Sequence, residues 1–402
     1  MWASDVSAMT HAPKALPTAC LAGTAHRAGR SRARYMVRAS SARLYSGRVA
    51  TIEPGHGLRN LACLVLLAGG SVTFASCNAA SPAKPVPAQA TAPAKPPAAP
   101  SAHEEDIAPA SPLPVPKALA PFTSRAAAGS GVWRAAGRRV HGYPAIYETR
   151  LVPPGSTQSA GIAWMDTHLL SARLYSGSLS PGGGPYRYTA PIEPAQAASL
   201  VAAFNGGFKM HDAEGGYYTE GRAIDPLRRG AASMVIYANG SVAIGAWGRD
   251  VSMTRRVVAV RQNLVPLVAS SQPTRAAAGN WRAWGATCGA TSCAASVPGI
   301  KRQWRSGLGI TADGALIYAY GPALSPLQLA RLLVRAGAVR GMQLDINPNW
   351  PIFVTYDPPS AGGLAAPSNG RKLLASTVQD PATLFKPGWA RDFVTMSARP
   401  AR

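Results

Sequence analysis

Residues 305–347 read RSGLGITADGALIYAYGPALSPLQLARLLVRAGAVRGMQLDIN, and the reading of this stretch decides the fold. Two apolar runs flank Asp313-Gly314, which predicts a β-hairpin with Asp313 as a turn residue. A helix follows. Ser325 is placed as N-cap, Pro326 in the first turn and Gly337 just past the end, with leucines at helical spacing between them. The run VRGMQLDIN then reads as a strand, and PIFVTYD (351–357) as another. Hairpin, helix, strand is the grammar of an α+β domain.

The same punctuation extends upstream. AASMVIYANGSVAIGAWG (231–248) reads as a hairpin, with Asn239-Gly240 supplying the positive-φ pair of a type I′ turn. YPAIYETRL, GIAWMD and HLLSARLY, between residues 143 and 175, read as strands. PAQAASLVAAF (194–204) predicts a second helix, opened by Pro194 and stopped by Gly206-Gly207. Strands outnumber helices, so the expected fold is α+β, with mixed or antiparallel sheets and a few packed helices. It forms a single domain, residues 131–402, after a disordered leader.

The leader has three parts. Residues 1–57 form a basic extension. Residues 58–77, LRNLACLVLLAGGSVTFASC, combine Arg59, a short Gly-broken apolar run and small residues at the end, which reads as a secretory signal. Cys77 follows Phe-Ala-Ser as in a lipoprotein processing site, where it would be lipidated; a plain cleaved signal and an uncleaved anchor are the alternatives. All three send the chain across a membrane, so the domain is expected to be exported, with membrane contact only through this N-terminal segment. Residues 78–130 are dominated by Ala and Pro, too poor in apolar area to fold, and predict an extended linker. The heptapeptide SARLYSG occurs at 41–47 and again at 171–177.

The net charge is +23 over 402 residues. A basic chain attracts anionic partners. After residue 131, however, no run of Lys or Arg exceeds two, and no zinc-finger spacing or other nucleic-acid signature is present. A nucleic-acid partner is therefore not expected. Cys288 and Cys293, in CGATSC, are the domain's only cysteines. In an exported chain they suit a small disulfide loop better than a metal site, which would need further ligands.

There is no P-loop, no GxSxG elbow and no HExxH motif. The domain holds only His141, His168 and His211, too few for a multi-histidine mechanism. What remains are glycines and polar groups at the ends of predicted elements. Asn205-Gly206-Gly207 offers an amide and backbone N–H groups to an anionic or polyhydroxyl ligand, or caps a helix. Arg305, in RSGLG, suits a phosphate or a strand edge. Asp345 closes the apolar run GMQL, where a carboxylate is costly unless paired or functional. Asp345, Asn347 and Asn349 carry the D-x-N-x-N pattern of a calcium loop, but Pro348 and Trp350 interrupt it and no later Glu completes it. No cofactor is expected, with calcium left open.

NGGF at 205–208, Arg305 to Gly309 leading a DG hairpin, the helix over 325–336 and Leu344-Asp345 occur in an order that resembles the phosphodiester glycosidase domain family, over roughly residues 155–397. The resemblance implies an envelope hydrolase that cleaves the glycosidic bond of a sugar-1-phosphodiester. The family continues its last motif as LDGGGS; here LDINPNW puts Ile346, Asn347, Pro348 and Asn349 in place of the glycines. On this reading Asp345 is base or nucleophile and Glu220 the second carboxylate. Arg305 with the Gly206 and Gly207 N–H groups holds the phosphate, Asn205 orients a sugar hydroxyl, and Asn347 replaces lost backbone donors. Asp212, Glu214 and Arg222 are reserves. The rival class is a non-catalytic envelope protein that binds anionic glycans in the same cleft, with Tyr217, Tyr218, Trp247 and Trp350 available to stack on sugars.

Overall fold

The structure is a computed structural model that describes residues 111–124, 127–279, 284, 302–360 and 362–401. Cys77, the first SARLYSG copy and the Cys288–Cys293 pair lie outside the described residues.

The decisive stretch folds as its pattern predicts. Gln303–Thr311 pairs antiparallel with Leu316–Leu324 across the Asp313-Gly314 turn, and Ala338–Gln343 pairs on the other side of Gln303–Thr311. Between them the helix Pro326–Arg335 starts with a full capping box. The Ser325 side chain accepts from the Gln328 N–H, and the Gln328 side chain accepts from the Ser325 N–H. Leu329, Leu332 and Leu333 are buried beneath the helix, each worth about 1.5–3 kcal/mol relative to exposure. Glycines on the sheet let the helix settle. A Cβ on Gly341 would sit 3.1 Å from a Leu333 methyl, and one on Gly307 3.0 Å from a Leu329 methyl.

These strands belong to an eight-stranded sheet, which two five-stranded sheets accompany. One of these is centred on Ala232–Tyr237 and Val257–Gln262, the other on Leu200–Asn205 and Phe393–Ala398. Every ladder between named strands is antiparallel, so the domain is mostly antiparallel β with few helices. The main core draws Met165, Phe204, Met234, Tyr318, Phe353 and Met396 from these three larger sheets, and Val140 from a two-stranded one.

Three expectations are corrected. The helix over 194–204 is a single turn, Pro194–Ala197, followed by the strand Leu200–Asn205. That strand is buried on both faces between Phe353–Tyr356 and Phe393–Ala398. A short run buried on both faces has no alternation to distinguish it from a helix. The hairpin at Asn239-Gly240 is not type I′. Gly240 alone takes a positive φ, of 76°, after a turn closed by the Gly240 N–H on the Tyr237 carbonyl. This is a three-residue loop, a type I turn followed by a left-handed glycine, and Thr311 to Gly314 repeats it with Gly314 at φ 91°. Finally, residues 111–122 of the expected linker pack on the domain. The Leu113 N–H donates to Asp166 at 2.8 Å, and Arg335 lies 4.4 Å over the Phe122 ring. Leu113, Leu119 and Phe122 supply the apolar contacts that an Ala-Pro average conceals.

Candidate active site

The three sequence elements meet. Leu200–Asn205 and Gln303–Thr311 belong to different sheets, and their polar ends converge where Leu344 and Asp345 extend the Ala338–Gln343 strand. The Asn205 amide donates to Ser306 Oγ at 3.1 Å, and Ser306 Oγ accepts the Asp345 N–H at 3.0 Å. Ser306 and Asp345 also exchange a backbone bond of 2.8 Å. Residues 101 and 39 positions apart are thus tied directly.

Asp345 is 2% exposed. One carboxylate oxygen accepts from Arg391 Nη2 at 2.7 Å and the other from the Asn347 N–H at 2.8 Å. Burial nonetheless dominates these stabilising contacts and pushes the carboxyl up to about 6. Arg391 also donates to the Gly207 carbonyl at 2.8 Å and lies 4.8 Å over the Trp350 ring, which meets Trp389 edge-on at 5.6 Å. Next in sequence, Asp392 pairs with Arg261 at 2.7 Å, with both side chains fully buried. Arg261 lies against the Phe208 carbonyl, and Asn263 accepts the Phe208 N–H at 2.9 Å. An alternating row, Asp345, Arg391, Asp392, Arg261, therefore runs behind the NGGF turn.

The glycines of that turn are steric necessities. A Cβ on Gly206 would lie 2.1 Å from an Asp392 carboxylate oxygen, and one on Gly207 2.7 Å from Asn263 Oδ1. Asn205, Gly207, Asp345, Trp350, Trp389 and Arg391 border a space of about 10 Å³, room for roughly one water. Two donors beside it have no partner among the described residues, the Gly207 N–H and the buried Arg391 Nε–H. A carboxylate able to exchange protons near neutrality, with two free donors beside one water-sized space, can activate a water and hold an anionic oxygen.

The structure rearranges the sequence-based cast. The Asn205 amide is saturated: its oxygen accepts from Tyr318 OH at 2.6 Å and from the Ile352 N–H at 3.3 Å, and its nitrogen donates to the Gly206 carbonyl and to Ser306. It positions the site and has no bond left for a sugar hydroxyl. The Gly206 N–H is taken by the Asp392 carbonyl at 2.9 Å. Arg305 is 2% exposed and turned away from Ser306, donating to the Leu324 carbonyl, the Trp284 carbonyl and Gln343 Oε1. Adjacent strand residues face opposite ways, so the RSGLG motif brings Ser306, not Arg305, to the site. Burial lowers the Arg305 pKa to about 9.

Glu220 stands apart as well. It occupies a hairpin turn at φ 51°, accepts the N–H groups of Arg187 and Tyr188, and lines a different cavity. Asn347 is exposed, and its side chain accepts the Asn349 N–H at 3.0 Å. Asp345 and Asn347 thus form successive Asx turns, which spend their oxygens on the chain's own backbone. Of the aromatic candidates only Trp350 borders the site; Tyr217 is buried, with its hydroxyl 3.0 Å from Ser176 Oγ. His141, His168 and His211 contact Arg399, Ser111 and Asp212, away from Asp345. Among the described residues no cluster of three His, Cys, Asp or Glu is placed to hold a metal.

Sequence reasoning missed Arg261, Asn263, Arg391 and Asp392. The signal was the one that marked Asp345, a charge abutting an apolar run, as in VVAVRQN and ARDFVTM.

No family model matches the chain, and no curated protein matches it. Among solved structures, the catalytic domain of zebrafish N-acetylglucosamine-1-phosphodiester alpha-N-acetylglucosaminidase, auto-inhibited by its pro-peptide, is similar at TM-score 0.39 and 16% identity. The match covers 74% of this chain and 99% of that one. A hypothetical protein from Synechocystis is similar at TM-score 0.35 and 11% identity, over 66% of this chain and 65% of that one. Among the described residues no helix is long and apolar enough to cross a membrane.

Proposed function

We propose that the chain is an exported hydrolase of the phosphodiester glycosidase type, acting on a sugar-1-phosphodiester in the cell envelope. The supporting observation is the direct hydrogen-bonded chain Asn205–Ser306–Asp345, with two free donors and a water-sized space beside the carboxylate. Asp345, ionised above about pH 6, takes a proton from water as the water oxygen attacks the anomeric carbon. The bond from that carbon to the phosphate oxygen breaks, and the phosphate leaves as an anion. Such a leaving group needs no protonation, so one carboxylate suffices where a glycoside would need two. Arg391 Nε–H and the Gly207 N–H, rather than Arg305 and Gly206, hold the leaving phosphate. The space holds about one water, so sugar entry requires side chains that border it, such as Trp350 and Trp389, to move.

A panel of sugar-1-phosphodiesters, with released sugar measured for wild type and Asp345→Asn, tests this reading. Loss of about 100-fold or more in the variant is expected; unchanged turnover removes Asp345 from the mechanism. One observation favours a glycan-binding protein without turnover: both Asp345 oxygens already accept hydrogen bonds. Glycan binding with no release across the panel would select that alternative.

A further inference from the structure

Glu220, displaced from the Asp345 site, leads to a second cavity of about 520 Å³. It lies between the edge strand Leu170–Tyr175, the turn around Asn239, the strand Val257–Gln262 and the segment at Arg187-Tyr188. The second SARLYSG copy forms one of its walls through Arg173 and Leu174. Its size falls within the range of small-ligand pockets.

Three arginines line it, Arg173, Arg187 and Arg399, and none is within ion-pair distance of a carboxylate among the described residues. Arg399 is only 8% exposed. It donates to the carbonyls of Thr167 at 3.0 Å and Asn239 at 2.6 Å. Its remaining Nη2 has no partner among the described residues. A buried guanidinium without a counter-anion is costly, and burial already lowers its pKa despite the distant charge of Asp166. Arg173 lies 4.1 Å over the Tyr188 ring and Arg187 5.3 Å from it, so the ring holds two cations at the rim. Glu220 forms an ion pair with neither among the described residues. It spends its carboxylate on the N–H groups of Arg187 and Tyr188, at 2.9 and 3.2 Å, and so pins the segment that carries them. The accessible apolar part of the remaining wall is Ala238, Val258 and Pro400, whereas Leu174 and Ile236 turn into the core behind it.

We propose that this cavity binds a single-chain amphiphile with a phosphate head, the head held by Arg173, Arg187 and Arg399 and the chain lying against Ala238, Val258 and Pro400. Three cations suit a dianionic phosphate, and the apolar wall distinguishes the ligand from free phosphate. The site is separate from Asp345 and independent of the hydrolase reading.

The test is isothermal titration of octyl phosphate into the full chain, beside inorganic phosphate and 1-octanol. The variants are Arg173→Ala/Arg187→Ala and Val258→Glu, all at exposed positions that leave the core intact. Octyl phosphate is expected to bind at least about tenfold tighter than either comparator, and each variant to weaken it at least about tenfold with an unchanged thermal transition. A smaller preference over inorganic phosphate or octanol overturns the proposal. So does binding that both variants leave intact, or no binding of octyl phosphate at millimolar concentration.

Discussion

Two polar regions of this domain are built on opposite plans. Behind the NGGF turn, two carboxylates and two guanidiniums alternate, bonds are nearly all satisfied, and the space left is about 10 Å³. Beneath the Leu170–Tyr175 edge, three guanidiniums stand around about 520 Å³ without an ion-paired carboxylate among the described residues. The first region has chemistry and little room; the second has room, a cationic lining and no available base. The difference teaches that buried charge by itself does not identify a site. What the charges leave unsatisfied does: one carboxylate with a raised pKa in the first case, a buried cation with no ion-pair partner among the described residues in the second.

The comparison breaks most visibly at the tightest pair. Asp392→Ala leaves Arg261 buried without its counter-charge and is expected to cost about 3–5 kcal/mol, read as a shift in the denaturation midpoint. Much of that loss should return in Arg261→Met/Asp392→Leu, which removes both charges. Gly206→Ala is next. Its Cβ would fall 2.1 Å from the Asp392 carboxylate, so a loss of about 1–3 kcal/mol is expected from overpacking, measured in the same way. Arg187→Ala, at the open rim, should stay within about 0.5 kcal/mol. A large loss there would mean that the rim arginines are structural and would erase the contrast.

The pH dependence of stability sharpens the same point. Because the Asp345 pKa is raised, from 3.8 to about 6, its contribution is fully present below pH 3.8 and is lost as pH rises through about 6. Asp345→Asn should therefore flatten the stability profile between those values relative to wild type, as followed by denaturant midpoints. An unchanged slope would show that Asp345 titrates elsewhere.

Much of this was legible in the sequence, residue by residue. The helix Pro326–Arg335 announces itself because Ser325, Pro326, Gln328 and Gly337 are all local signals. Asp345 and the Gly206-Gly207 pair are visible because a charge and two glycines interrupt apolar runs. Arg305 was misassigned by a single position, since one residue along a strand reverses the face. Glu220 was misassigned because a turn carboxylate looks the same from sequence whether it faces a substrate or caps two backbone N–H groups. The pairs Arg261–Asp392 and Arg391–Asp345 were not legible, because their partners lie 131 and 46 residues apart and only the folded sheets bring them together.

Whether Asp345 is a proton-exchanging carboxylate or only a structural ion-pair partner of Arg391 is decided by its own titration. Carboxyl carbon chemical shifts, followed by NMR from acid to neutral pH in wild type and assigned by their loss in Asp345→Asn, give the midpoint. A proton-exchanging role predicts a midpoint of about 6. A midpoint at or below the ordinary aspartate value of about 3.9 would contradict it and leave Asp345 as one more buried ion pair.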